Sequence, residues 1–198
     1  MKSALRMVTL LAIFYILNFK QTVGCDFKIF YLITNLIYLN QNSVVFKLTN
    51  AICGSYNKTW IRINHCRLKA ISRHKTVFNF NATFLHPTRN IIVHYQLFKR
   101  ENGYKPWLVN IRIDGCRYLR KPYDAIAILL FSIYKDFSNI NHTCPLYGDI
   151  FIKDMYLTTD VMRLPLPTGD FLLAIDWIFY GKPQFATNIS FQFVEDLL

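Results

Sequence analysis

The sequence predicts a mainly all-β protein, a two-sheet antiparallel β-sandwich with one inserted apolar helix. Short runs alternating between apolar and polar residues recur along the chain, Pro, Gly and Asn turn signals separate them, and one apolar run breaks the rhythm with three-to-four spacing. With 198 residues, 53% hydrophobic and 16% aromatic, the chain can build one domain around a sizeable core.

Strands are expected at 44–49 and 60–68. The cleanest is 76–84, where Phe78, Phe80, Ala82 and Phe84 alternate with Asn79, Asn81 and Thr83, as in a sheet with one buried and one wet face. His86, Pro87 and the residues to Asn90 then turn the chain into a strand at 91–99, and Asn102-Gly103 reads as a hairpin turn. Beyond it Trp107, Val109, Ile111 and Ile113 share one face while Asn110, Arg112 and Asp114 take the other, and Cys116 closes the strand.

Helical spacing follows over 123–137, with Ile126, Leu129, Leu130, Ile133, Tyr134 and Phe137 three to four apart. Pro122 suits a first helical turn and Asp124 suits the positive end of the helix dipole. Ile128 and Phe131 make this helix apolar almost all round, so it is expected to be buried or to lie against something apolar. A strand at 150–157, a proline-punctuated connection at 164–170 and strands at 171–179 and 185–194 complete eight strands.

The first residues set the expected compartment. Lys2 and Arg6 precede an uncharged apolar run, 7–17, and Thr22-Val23-Gly24 is a usable cleavage site, so 1–24 reads as a secretory signal peptide. A membrane anchor, the alternative, needs about 20 apolar residues, and Asn18 and Lys20 interrupt this run. Residues 25–43 are expected to form an apolar N-terminal arm, an extra strand or a loose segment, the alternative being cleavage further along or retention at a membrane surface, and 44–198 the sandwich domain.

Five cysteines in a secreted chain imply disulfides with one left over, and Cys25, at the cleavage point, is the odd one. Cys53, Cys66, Cys116 and Cys144 allow three pairings; the local ones, Cys53 with Cys66 and Cys116 with Cys144, enclose short segments beside turns and strand ends. Sequons at Asn57, Asn81, Asn141 and Asn188 are expected glycosylation sites, with Asn81 and Asn188 on the polar faces of their strands.

The net charge is +11, or +8 without Lys2, Arg6 and Lys20 of the leader, which has no acid. The bases are scattered instead of forming a stripe, which argues against nucleic acid and leaves weak attraction to an anionic membrane surface, a glycan or a receptor.

Catalytic patterns are not found. There is no Gly-x-Ser-x-Gly elbow, and His65, His74, His86, His94 and His142 show no metalloprotease spacing. His142 stands near Cys144, but an oxidised cysteine is no nucleophile. Asp114, Asp149, Asp154 and Asp170 sit at strand ends or turns, where Asp commonly serves hydrogen bonding; a glycosidase-type carboxylate pair leaves no spacing signature to test. No CxxC spacing suggests zinc. An enzyme, a metal site and a cofactor are not expected.

Six motifs together resemble one family. They are Leu48-Thr49-Asn50-x-x-Cys53, Cys66-Arg67-Leu68-Lys69, Asn102-Gly103-Tyr104-Lys105-Pro106-Trp107, Asp114-x-Cys116-Arg117-Tyr118-Leu119, the run from Ser138 through Asn139, Ile140, Asn141, His142 and Thr143 to Cys144-Pro145, and Leu166-Pro167-Thr168-Gly169-Asp170-Phe171. They resemble the insect secreted domain-of-unknown-function family DUF1091, which includes chemosensory CheB-type proteins and is similar to ML lipid-recognition domains. The resemblance spans about 44–194. It implies an immunoglobulin-like or ML-like sandwich with an apolar ligand site between the sheets; the apolar arm at 27–39 departs from the pattern. The expected function is therefore a secreted binding protein for an apolar small molecule, a lipid or a cuticular hydrocarbon or pheromone-like compound, in a chemosensory setting. The alternative is a secreted glycoprotein interaction module with a filled core. Phe78, Phe80, Trp107, Ile111, Phe171, Leu173, Trp177 and Phe191 are core in the second reading and pocket wall in the first.

Overall fold

A computed structural model describes residues 45–73, 75–157 and 166–194. The leader 1–24, the arm 25–43, Cys25, Val44, His74 and the first part of the proline-punctuated connection lie outside the described residues. Among the described residues eight strands run in the order β1 (Val45–Ser55), β2 (Ile61–Ser72), β3 (Lys75–Thr88), β4 (Ile91–Glu101), β5 (Gly103–Asp114), β6 (Leu146–Met155), β7 (Gly169–Phe179) and β8 (Lys182–Val194). They form two antiparallel sheets, one of five strands ordered β1-β8-β7-β4-β5 and one of three ordered β2-β3-β6. This is the predicted two-sheet sandwich.

The alternation carries over residue by residue. On β3, Phe78, Phe80, Ala82 and Phe84 are all buried, whereas Asn79, Asn81 and Thr83 face outward. Those outward side chains form a polar ladder: Asn64 donates to Asn81 (2.7 Å) and to Thr83 (2.8 Å), Thr83 to Asp149 (2.6 Å) and Asn79 to Asp154 (3.3 Å). β5 keeps its phase despite an irregularity, since Gln96 pairs with Asn110 but Leu97 with Trp107. The two extra residues, Leu108 and Val109, are an even number, so Trp107, Val109, Ile111 and Ile113 stay on one face. Leu108 takes the strain, at φ 36° and 60% exposed.

Three strands cannot cover five, and the helical excursion fills the difference. A short helix not expected from the sequence, α1 (Gly115–Arg120), comes first, and the helix expected over 123–137 follows as α2 (Ala125–Tyr134) and the 3-10 turn Lys135–Phe137. Aspartates start both helices, Asp114 Oδ1 accepting from Arg117 N at 2.9 Å and Asp124 Oδ1 from Ala127 N at 2.8 Å. Pro122 therefore precedes the cap and does not occupy the first turn. Cys116 belongs to α1 and does not end the strand. Nor is α2 buried all round: Ala127, Leu130 and Ile133 face the core, while Ile128 is 46% exposed.

The 138–140 segment behind the helices docks on the edge of the small sheet. Asn139 mimics a strand residue, donating from Nδ2 to the Asp149 carbonyl (2.7 Å) and accepting from Phe151 N (2.9 Å), and Ser138 bridges Ile152. β6 thus loses part of its open edge, a shielding device of sheet proteins.

Two disulfides staple opposite flanks. Cys53–Cys66, Cα atoms 6.1 Å apart, joins edge strand β1 of the large sheet to edge strand β2 of the small one. Cys116–Cys144, 5.5 Å apart, ties α1 to the segment entering β6. Between the flanks lies an aromatic core centred on Phe185 of β8, stacked on Trp177 (5.1 Å between centroids) and Phe80 (6.3 Å), with Phe84 and Phe179 edge-on.

Candidate functional site

A cavity of about 60 Å³ lies among the inward faces of β3, β4, β6, β7 and β8, closed on one side by α2. Among the described residues no charged side chain lines it. Phe78, Phe80 and Phe84 of β3 form one wall, Leu173, Ile175 and Trp177 of β7 the opposite one, and Leu130, Ile133 and Tyr134 of α2 the side. The period-two pattern puts these side chains there: successive inward residues of facing strands meet across a gap that sheets keep at about 10 Å.

Five of the eight side chains expected from sequence line the cavity: Phe78, Phe80, Leu173, Trp177 and Phe191. Phe171 does not; it is fully buried and stacks on Phe191 at 5.5 Å, so it is core. Trp107 and Ile111 also lie outside the wall. They point inward, but from β5 at the edge of the large sheet, beyond the span of the three-stranded sheet, and they pack on the core from that margin. Strand phase was visible in the sequence, whereas strand order, which decides whether an inward side chain faces the gap, was not.

Sequence reasoning missed Tyr95 and Tyr134. Their hydroxyls are 2.9 Å apart, joining β4 to α2 inside this apolar surround. Burial pushes the Tyr95 phenol up to about 12, opposed by its bond to Tyr134, and burial likewise holds Tyr134 well above the ordinary phenol value. Both are neutral hydrogen-bonding groups at physiological pH. The other polar contact on the wall is long, Trp177 Nε1 donating to Thr187 Oγ1 at 3.5 Å. A second cavity of about 30 Å³ lies between the large sheet and the helices, and Tyr95, Tyr134, Ile140 and Trp177 line both.

The described histidines and aspartates are absent from the lining of this gap. His94 Nε2 donates to Asn110 Oδ1 at 2.8 Å, and its Nδ1 stands 3.9 Å from Asp176 Oδ2, on the polar face of the large sheet. His142 is exposed and bonds the Thr143 carbonyl, and Cys144 is in a disulfide. Asp114 caps a helix, Asp149 and Asp154 belong to the polar ladder, and Asp170 pairs with Gln192 in register at the start of β7. Among the described residues no group of three or more His, Cys, Asp or Glu could hold a metal ion.

The four sequons are accessible. Asn141 is exposed, and Asn57, Asn81 and Asn188 are partly so. Along a strand, residues two apart share a face, so Asn81 with Thr83 and Asn188 with Ser190 each turn both sequon side chains outward. At Asn57 a turn does the same work, Thr59 Oγ1 donating to Asn57 Oδ1 at 2.7 Å.

The molecule is thus an all-β two-sheet sandwich, stapled by two disulfides, with an uncharged cavity between its sheets. The model of the family described as a protein of unknown function (DUF1091) matches residues 93–173, from β4 into β7, and supports the DUF1091 family assignment. The match is narrower than the 44–194 read from motifs: it includes the Asn102, Asp114, Ser138 and Leu166 motifs and leaves out those around Leu48 and Cys66. No curated protein matches the chain.

Proposed function

We propose that this chain is a secreted, non-enzymatic binding protein for an apolar small molecule, held between the sheets. The observation that carries this is the uncharged cavity, into which Phe78, Leu173, Trp177 and Phe191 project from both sheets and Leu130 and Ile133 from a helix. Apolar surface facing an unfilled gap forgoes dispersion contacts that a lipid chain or a pheromone-like hydrocarbon would restore. The likeness to chemosensory proteins noted from the motifs fits such a ligand.

Size favours a second reading, an interaction module whose core is effectively filled. About 60 Å³ is less than half the roughly 150 Å³ of an engineered cavity that takes up benzene, so a long chain enters only if apolar wall residues such as Leu173 move. Native mass spectrometry and lipid extraction of protein secreted from insect cells separate the two. We expect a bound apolar species, and we expect Leu173→Phe, which occupies the gap, to weaken binding of apolar probes at least tenfold while the fold persists. Protein that yields no extractable ligand, and binds none of a hydrocarbon and fatty-acid panel, leaves the filled-core reading.

Secretion is part of the same proposal, supported by the leader-like start and by two disulfides, which persist in oxidising compartments. The accessible sequons predict N-glycans. Glycosidase treatment of secreted protein should increase its gel mobility; protein confined to the cytosol with no shift would count against it. The basic surface leaves room for weak contact with an anionic membrane or a receptor.

A further inference from the structure

We infer that the hydroxyl pair of Tyr95 and Tyr134 is the polar recognition point of the cavity, selecting chain-like ligands that carry an uncharged oxygen function, such as an alcohol, over plain hydrocarbons and ionised fatty acids. The inference rests on the cavity being a ligand site and names the ligand's chemistry.

Three observations carry it. First, two phenols stand in a wall otherwise made almost wholly of carbon, a placement that costs free energy unless their hydrogen bonds are met. Second, the pair meets its needs only in part. Two hydroxyls have two hydrogens; their mutual bond uses one, and the other has no acceptor among the described residues. A ligand oxygen can accept that hydrogen, and an alcohol can also donate to a phenol lone pair. Third, the pair stands where the larger and smaller cavities adjoin, since Tyr95 and Tyr134 line both. An oxygen bound there leaves carbon chain on the apolar side of the larger cavity.

The same wall rejects charge. Among the described residues no Lys, Arg or His lines either cavity, so a carboxylate brought to the phenols would be buried without a counter-ion from them. The phenols themselves stay protonated, because burial disfavours their ionisation. A plain hydrocarbon, at the other extreme, leaves the spare hydroxyl hydrogen unmatched.

The test compares 1-dodecanol, n-dodecane and dodecanoate at pH 8, by displacement of N-phenyl-1-naphthylamine and by the fluorescence of Trp177, which lines the cavity. Aqueous affinities include each probe's own cost of leaving water, so the deciding comparison is variant against wild type. Tyr95→Phe with Tyr134→Phe removes both hydroxyls and leaves neither stranded; Tyr134→Phe alone is the second variant. The double variant should weaken dodecanol about fivefold or more, the usual consequence of burying a hydroxyl without its partner, and leave dodecane within about twofold. Wild-type protein should hold dodecanoate less tightly than dodecanol. Dodecanol binding that is indifferent to both variants, an equal loss for dodecane, or dodecanoate as the tightest probe overturns the inference while the cavity reading stands. If no probe binds wild-type protein, both fall together.

Discussion

Replacing Cys116 and Cys144 together by serine is expected to destabilise the domain by about 3 to 4 kcal/mol, the loop-closure entropy of a segment near 30 residues. The bridge joins positions 28 apart in sequence and encloses α1, α2 and the 3-10 turn. Without it, the excursion depends on two aspartate caps, on the docking of Asn139 and on the burial of Ala127, Leu130 and Ile133. Since Leu130, Ile133 and Tyr134 of α2 also wall the cavity, ligand binding should weaken with stability. The Cys53–Cys66 bridge closes 13 positions, and its removal should cost slightly less, about 3 kcal/mol. A single Cys116→Ser change should lower secretion and leave Cys144 free. Denaturant midpoints measure the cost, and peptide mapping without reduction checks the connectivity; a Cys53–Cys144 or Cys66–Cys116 linked peptide would falsify it.

Phe185→Ala is expected to cost about 3 to 5 kcal/mol, a large share of the roughly 5 to 15 kcal/mol that holds a typical domain together. Phe185 is 1% exposed, and four aromatic rings from both sheets pack on it, so its removal opens a void that no neighbouring strand can close by itself. The new void would adjoin the existing cavity, which Phe185 already lines. The variant should therefore bind bulkier apolar probes than the wild type, even though it is less stable. Phe185→Leu keeps most of the volume and should cost much less. Urea unfolding followed by tryptophan fluorescence measures both; an alanine variant within about 1 kcal/mol of wild type would show that the core relaxes around the gap, contrary to the packing described.

The sequence by itself determined the strand set, the strand phases and the polar outer face, because each depends on neighbours along the chain. Phe78, Phe80 and Phe84 alternate with Asn79, Asn81 and Thr83 whatever the rest of the molecule does. Even the irregularity at Leu108 left this legible, since two inserted residues restore the period. Local signals also mark the helices: Asp114 and Asp124 each cap one, but the apolar period covers only α2 and the 3-10 turn, whereas α1, six residues long, is too short to show one.

Only the tertiary structure decided which inward residues meet a gap. Trp107 and Phe171 have the same pattern in sequence as Leu173 and Trp177, but β5 lies at the sheet edge and Phe171 is sealed against Phe191, so neither side chain reaches the cavity. Tyr95 and Tyr134 lie 39 residues apart, one on a strand and one on a helix, and nothing in either neighbourhood marks them as partners. Their pairing arises because three strands leave part of a five-stranded sheet uncovered, and α2 must lie across what remains.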